Sequence, residues 1–264
     1  MKIVGATFVY NDWEYLDQSL ESFKWFPDKH FIIEGSWKSA QSTGGAKPRS
    51  NEITYEIINK HVDNKQVFLV QANAERERNQ RQIALELAKK EGADWFFMTD
   101  ADEVYVKNKL ILIKNWLEKA KDSSALGFRV NSYNFINSFK KWYSGNYMRI
   151  YRVTKDARFF MDNDVEWPDR KGYIGTIPGV SYYHYNYVRR NTERFWTMMK
   201  YQNEQDPSFW QRYVDSGQYA EQAGKYKIPD DIKIYDYTGK HPLIMKNHPY
   251  FVQDVFGDGE IQYE

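Results

Sequence analysis

The first hundred or so positions alternate between apolar runs and segments with helical spacing. Ile3 to Tyr10 is β-rich and almost entirely apolar, the pattern of a strand covered on both faces. Asn11-Asp12 breaks it and offers a cap for a helix from Trp13 to Phe26, which Pro27-Asp28 ends. A short second strand spans His30 to Ile33, and residues 36–50, rich in Ser, Gly and Lys, form a loop. Asn51 to His61 is helical, Val67 to Gln71 is a third strand, and Ala74 to Glu91 is a long helix stopped by Gly92. Ala93 to Thr99 is the fourth strand. Strand and helix alternating in this way predict an α/β fold with a mostly parallel central sheet flanked by helices. Such sheets bind ligands at the carboxyl ends of their strands.

The pattern changes near residue 104. Lys107 to Lys121 keeps helical spacing through Leu110, Ile113 and Leu117, but the next segments favour strands: Leu126 to Phe135, Tyr147 to Val153 with Arg149 and Arg152 interleaved, and the aromatic Val180 to Val188. Arg158 to Tyr173 is acidic and irregular. Arg190 to Asn203 is an amphipathic helix, residues 205–242 are short helices and loops, and the tail beyond is irregular. Residues 1–104 are therefore read as an α/β half and 105–264 as a mixed α+β half with C-terminal helices and a tail. No linker or repeat separates them, so they form one continuous domain.

Composition narrows the function. With 37 basic and 36 acidic residues, no overall field recruits nucleic acid. The absence of cysteine removes disulfide scaffolds, zinc-thiolate sites and thiol nucleophiles, and fits a cytoplasmic protein. The apolar N-terminus is too short to span a bilayer and lacks the features of a signal peptide, and no later run approaches the roughly 20 apolar residues of a transmembrane helix. The 21 Tyr, 16 Phe and 9 Trp exceed what a core requires. Rings on a groove stack on sugars or bases, although packing explains most of them more cheaply.

The candidate chemistry lies in Asp94-Trp95-Phe96-Phe97-Met98-Thr99-Asp100-Ala101-Asp102-Glu103. The apolar strand ends in three carboxylates. Asp100 and Asp102, two apart on an extended chain, leave on one face. They repel unless a cation sits between them, and hard oxygen ligands suit Mg²⁺ or Mn²⁺, above all when a substrate diphosphate completes the shell. The competing reading is an exposed acidic turn. Glu103 is either a supporting group for the motif or a solvated surface acid. Asn11-Asp12 and Glu34-Gly35-Ser36 also follow predicted strand ends, so three polar clusters converge on one sheet edge.

With Ile3–Asn11, Glu34-Gly35-Ser36, the Arg/Asn/Gln-rich start of the long helix and Trp95–Glu103, the chain resembles nucleotide-sugar glycosyltransferases of the GT-A fold. It is nearest to family 2, in the branch ending Asp-x-Asp-Glu. The resemblance covers about the first 105 residues well and the remainder thinly. It implies a GT-A-like single domain: a nucleotide-sugar-binding half at 1–104 and an acceptor-binding half at 105–264. It implies an inverting, metal-dependent transferase that moves a sugar from a nucleotide diphosphate sugar to a hydroxyl of a glycan, lipid-linked sugar or protein. Tyr10, Asn11 and Glu34 are implied to contact the base and ribose, Asp100 to lie near the ribose or the Mn²⁺ or Mg²⁺ ion, and Asp102 to ligate that ion. His184 matches the later His that completes metal or phosphate binding. Arg78 at the start of the long helix is the implied diphosphate contact, with Arg76 and Arg81 beside it; a solvated basic face balanced by neighbouring acids is the alternative.

Inverting transfer needs a carboxylate to take the acceptor proton. The acidic loop Asp162-Asn163-Asp164-Val165-Glu166-Trp167 corresponds to the family's base-bearing loop and offers Glu166 first and Asp164 second; a plain acidic surface loop fits it as well. Trp142, Tyr143, Tyr147, Trp167, Tyr173, Tyr182 and Tyr183 are candidates for an acceptor groove. Two other functions stay open. One is a nucleotidyltransferase of the same fold, disfavoured by Tyr10-Asn11-Asp12-Trp13 where a Gly-rich basic loop is expected. The other is a carbohydrate-binding protein with a structural cation. The tail at Tyr235–Phe256 either packs on the domain or makes a peripheral membrane contact.

Overall fold

The computed structural model describes residues 1–44, 46–161, 163–189 and 232–264. The first half contains β1 (Ile3–Val9), α1 (Trp13–Phe23), β2 (Lys29–Glu34), α2 (Lys38–Gly44), α3 (Glu52–His61), β3 (Val67–Gln71), α4 (Glu77–Lys90) and β4 (Trp95–Asp100). There follow β5 (Glu103–Val104), α5 (Lys107–Ala120), β6 (Ala125–Ile136), β7 (Lys141–Arg152), the hairpin β8 (Arg158–Phe159) and β9 (Val165–Glu166), and β10 (Tyr173–Tyr187). Beyond residue 231 come β11 (Tyr235–Asp236), a 3₁₀ turn (Leu243–Met245) and α6 (Pro249–Val252). The expected helix at 190–203 and the elements up to residue 231 lie outside the described residues.

The main sheet has the order β3-β2-β1-β4-β7-β6-β10-β5, with β11 on the edge of β7. Pairs β3–β2, β2–β1 and β1–β4 are parallel, as the alternation predicts. The switch comes at β4, which pairs antiparallel with β7 (Trp95↔Arg152, Phe97↔Ile150). One sheet therefore runs through both halves of the chain, in the α/β class expected.

The period of two on β4 sorts its side chains between two layers. Phe96 and Met98 pack with Ala84, Leu85 and Ala88 of α4; Trp95 and Phe97 pack with Phe23 of α1 and with Leu110, Ile113 and Leu117 of α5. Gly5 of β1 lets Phe23 close in, since a Cβ there would lie 2.7 Å from the ring.

Three departures from the sequence reading stand out. Residues 38–44 are helical inside the expected loop. Strand β7 starts at Lys141 rather than 147, because β6 pairs with it over Gly127 to Phe135, the last pair being Phe135↔Trp142. Strand β10 starts at Tyr173 and reaches its partner β6 only through several register shifts. The tail packs on the domain: Met245, Tyr250 and Phe251 are buried with Tyr15, Phe135, Phe139 and Tyr185. Among the described residues no helix is long and apolar enough to cross a membrane.

Candidate active site

The carboxyl ends of β1, β2 and β4 open into a cleft of about 180 Å³. Its walls include Phe8, Tyr10, Gly35, Ser36, Trp37, Gln80, Arg81, Asp100, Asp102, His184 and Asn186. The three polar clusters lead into one place: Tyr10, Asp100, Asp102 and His184 line it, while Asn11, Glu34 and Arg78 do not.

At the end of β2 the cleft wall is Gly35, Ser36 and Trp37, while Glu34 lies fully buried behind it. Glu34 accepts from the Ser50 amide (2.7 Å) and the Tyr55 hydroxyl (2.5 Å), with Arg49 at 3.6 Å. Asn11, in a left-handed conformation (φ 49°), accepts from the Asn51 amide at 2.7 Å and its own amide donates to Ser50 Oγ at 3.0 Å. Both residues thus hold the 48–51 loop against the strand ends. Gly35 (φ +134°) passes so close to Ala72 that a Cβ would lie 2.6 Å from its carbonyl oxygen. Trp37 Nε1 donates to Gln80 (3.1 Å), whose amide in turn donates to the Gly35 carbonyl (2.9 Å), which fixes the indole at the rim.

Of the arginines opening α4, Arg81 lines the cleft. Arg78 is exposed and donates to the Phe160 carbonyl at 3.4 Å. Arg81 is buried, bonds Glu77 and Asn163, and lies 4.0 Å from Asp100. Glu166 is paired with the exposed Arg158 at 2.5 Å. It and Asp164 are absent from the cleft wall, but Asp164 adjoins the Asn163 that bonds Arg81.

The acidic motif is not a solvated turn: Asp102 is 2% exposed and Glu103 fully buried. The surface-acid reading of Glu103 therefore fails. Its carboxylate meets Arg149 and accepts from the Tyr105 hydroxyl at 3.0 Å. Burial raises its pKa to about 7, with Asp100 and Asp102 adding to the rise and Arg149 opposing it. Arg149 also bonds Asp100 at 2.9 Å.

On the other side of the motif, Arg189 donates to Asp102, reaches Asp12 at 2.5 Å and lies 3.4 Å from Glu14. Glu14 is held in turn by the C-terminal segment, through the Tyr250 hydroxyl and through His248 Nε2, which lies 2.6 Å from its carbonyl. Burial opposes the charge on Arg149 and Arg189, but the surrounding carboxylates outweigh it and hold both far above the usual guanidinium range.

His184 reaches Asp102 through sheet register, since β10 places it opposite both Glu103 and Asn134. Asn134 Nδ2 donates to the Tyr143 carbonyl (3.3 Å), so its Oδ1 is the acceptor facing His184 Nδ1 at 2.8 Å. The ring therefore carries its proton on Nδ1 and turns Nε2 toward Asp102 Oδ1, 3.3 Å away. Burial disfavours the charged ring, but Asp102, with Glu103 and Asp100 behind it, raises the imidazole pKa overall. Nitrogen and oxygen ligands about 2.1 Å from a shared cation lie roughly 3 Å apart, so the pair suits one. The other His184 nitrogen is already anchored, as in ligating histidines generally. Among the described residues no three His, Cys, Asp or Glu side chains form a complete metal cage. Mg²⁺ is ordinarily held by one or two protein groups with substrate phosphates completing the shell. The donors present fit a cation shared with a ligand.

Of the ring candidates, Tyr182, Tyr183 and Trp167 are buried packing residues, and Tyr173 is exposed on β10. Trp142 packs edge-on to Tyr133. Tyr143 and Tyr147 are half-buried, and Tyr147 sits edge-on to His184 at 6.4 Å. The sequence reading passed over Arg149 and Arg189 as site residues. Arg149 alternates with Arg152 on an apolar strand and Arg189 follows an aromatic one, which sets neither apart from a surface arginine.

No protein-family model and no curated protein matches the chain. Among solved structures it is similar to S. aureus TarS 1–349, at 14% identity and a TM-score of 0.43 over 77% of this chain and 65% of that one. It is similar to the same TarS fragment in complex with UDP-GlcNAc, at 14% identity and 0.46 over 69% and 58%. It is also similar to CMP:2-keto-3-deoxy-manno-octonic acid synthetase complexed with CTP, at 10% identity and 0.34 over 58% and 75%. The chain thus spans less than two thirds of the TarS chains it matches. At these identities the likeness is one of fold alone.

Proposed function

We propose that the chain is a glycosyltransferase that moves a sugar from a nucleoside diphosphate sugar to an acceptor hydroxyl, with inversion at the anomeric carbon and with Mn²⁺ or Mg²⁺ held by Asp102 and His184. The observation that carries the reading is the Asp102–His184 pair facing a cleft at the carboxyl ends of parallel strands. Tyr10 and Trp37 provide aromatic walls for the base or sugar. Arg81, on the same wall, offers a guanidinium to phosphate oxygens. Arg189 and Asn134 fix Asp102 and His184 from behind.

When bound, the cation neutralises charge on the departing diphosphate. In the reaction the bond between the anomeric carbon and the diphosphate oxygen breaks, and the acceptor oxygen bonds that carbon from the opposite face. The acceptor's proton passes to a carboxylate. Of the acids that the sequence offers for this role, Asp164 is the better placed, through its neighbour Asn163 at Arg81. The half-buried Tyr143 and Tyr147 near His184 suit an acceptor bearing hydroxyl groups.

The test is Asp102→Asn. Arg189 keeps Asp12 and Glu14 as partners, so the fold should survive while transfer and Mn²⁺-dependent nucleotide binding are lost. Transfer at the parent rate overturns the assignment. Pyrophosphate release from a nucleoside triphosphate and a sugar phosphate replaces it with nucleotidyl transfer.

A further inference from the structure

Helix α5 carries two apolar surfaces. Leu110, Ile113, Leu117 and Ala120 are buried against the sheet. Ile111, Leu112 and Trp116 lie outside that stripe and are 46%, 43% and 40% exposed. Single exposed apolar residues need no explanation, but a group of three including Trp on one helix does.

Lys107, Lys109, Lys114 and Lys119 surround this group, with Glu118 the helix's one acid. The chain as a whole nearly balances its charges, so the excess is local. Among the described residues none of these lysines is ion-paired; Lys109 Nζ donates to the Gly179 carbonyl at 3.0 Å. Trp25, 39% exposed, extends the patch at the start of the helix, with Lys107 Nζ 5.3 Å from its ring centre.

Lysines interspersed with Trp and aliphatic side chains on a surface helix match a bilayer interface, where indoles sit at head-group depth and ammonium groups meet lipid phosphates. We propose that the outer face of α5 docks this protein on an anionic phospholipid bilayer. The sign of the charge selects the occupant: a neutral bilayer would leave the lysines without partners. The C-terminal tail is the weaker candidate, because Tyr250 and Phe251 are buried in the domain and its exposed Tyr235, Leu243 and Val252 are scattered along the chain. Since α5 follows the acidic motif through Val104 and Tyr105, docking would set the cleft in a fixed orientation to the lipid surface.

The experiment is co-sedimentation of the full chain with vesicles of phosphatidylcholine alone or with 30% phosphatidylglycerol, at low and high salt. We expect binding to the anionic vesicles only, lost at high salt. Each lysine near an anionic surface contributes about fivefold, so Lys114→Gln with Lys119→Gln should weaken partitioning roughly 25-fold. Leu112→Asn with Trp116→Asn should weaken it at least as much, and both double variants should melt like the parent. Equal binding to both vesicle types, or a lysine variant that sediments like the parent, overturns the proposal. A parent that dimerises, and is monomeric once Leu112 and Trp116 are replaced, makes the patch a contact between copies and also overturns it.

Discussion

Arg189→Met replaces a guanidinium by an apolar side chain of similar length at the junction of β1, α1 and the acidic motif. Arg189, Asp12, Glu14 and Asp102 are 4%, 1%, 5% and 2% exposed, so water cannot take over when the guanidinium goes. Asp12, Glu14 and Asp102 then lose the guanidinium that they share. Removing one partner of a buried ion pair costs about 3–5 kcal/mol, because the remaining charge stays desolvated. For a domain of this size, about 2–4 °C of melting temperature accompanies each kcal/mol, which predicts a loss of about 6–20 °C. Arg189→Lys should fall between parent and methionine variant, since an ammonium is a point charge and cannot span three carboxylates as a planar fork does.

A second readout separates charge from packing. If the damage is uncompensated negative charge, adding Asp102→Asn to Arg189→Met should cost less than Asp102→Asn alone. Excess Mn²⁺ should also raise the melting temperature of the methionine variant more than that of the parent. Differential scanning fluorimetry on the four proteins of the cycle reads both effects. A methionine variant that melts within about 2 °C of the parent, or a cycle with no coupling, would refute the assignment of Arg189 as the compensating charge.

Three other outcomes follow. His30 and His241 are buried and neutral, with pKa values pushed down by desolvation to about 3 and about 4. The unfolded chain takes up their protons below pH 6.5 while the native one does not, so the contribution of each to stability falls from pH 6.5 downward. Each amounts to about 2 kcal/mol of loss by pH 5, and Glu103, with its raised pKa, works in the opposite direction in the parent; urea midpoints of His241→Gln against the parent from pH 7 to 5 isolate the histidine, and equal slopes contradict this. Gly35→Ala should destabilise the fold by about 1–3 kcal/mol and weaken nucleotide binding, given its positive φ and the Ala72 carbonyl 2.6 Å from the new Cβ; an unchanged melting temperature argues against that close approach. Asp164→Asn should lower kcat by about 10²-fold or more without altering donor affinity, and Glu166→Gln should do less; parent-like kcat for both removes the hairpin from the chemistry.

The parallel core was legible because β1 and β4 are covered on both faces and so write continuous apolar runs. The acidic motif was legible because a strand that dry cannot end in three carboxylates without partners. The partners themselves were not. Arg189 lies 87 positions from Asp102, and nothing in the local sequence separates it from a surface arginine. The family resemblance, together with its place at a strand end, implied a ligand contact for Glu34. Its burial under Ser50 and Tyr55 depends on a loop whose Ser/Gly/Lys composition conceals its packing. His184 was legible through the family resemblance as a histidine in an aromatic strand; the 2.8 Å bond that fixes its tautomer depends on the pairing of β10 with β6.

The charges at the cleft bear on how a donor would bind. Among the described residues, Asp12, Glu14, Glu77, Asp100, Asp102 and Glu103 are answered by Arg81, Arg149 and Arg189. Glu103, its pKa raised to about 7, carries only part of its charge near neutral pH. A diphosphate entering alone approaches the Asp100 and Asp102 carboxylates, while a divalent cation entering alone finds, among the described residues, the Asp102–His184 pair without phosphate oxygens to complete its shell. Each ligand lacks what the other supplies, so the proposed reading requires strong positive coupling between them. Linkage makes the coupling reciprocal: the factor by which Mn²⁺ tightens UDP must equal the factor by which UDP tightens Mn²⁺. We expect a factor of at least about 10, measurable by calorimetry in both orders and sharply reduced in His184→Ala. UDP binding that is equally tight with chelator and with Mn²⁺ would show that the arginines alone neutralise the phosphates, and the cation's place in the mechanism would fall.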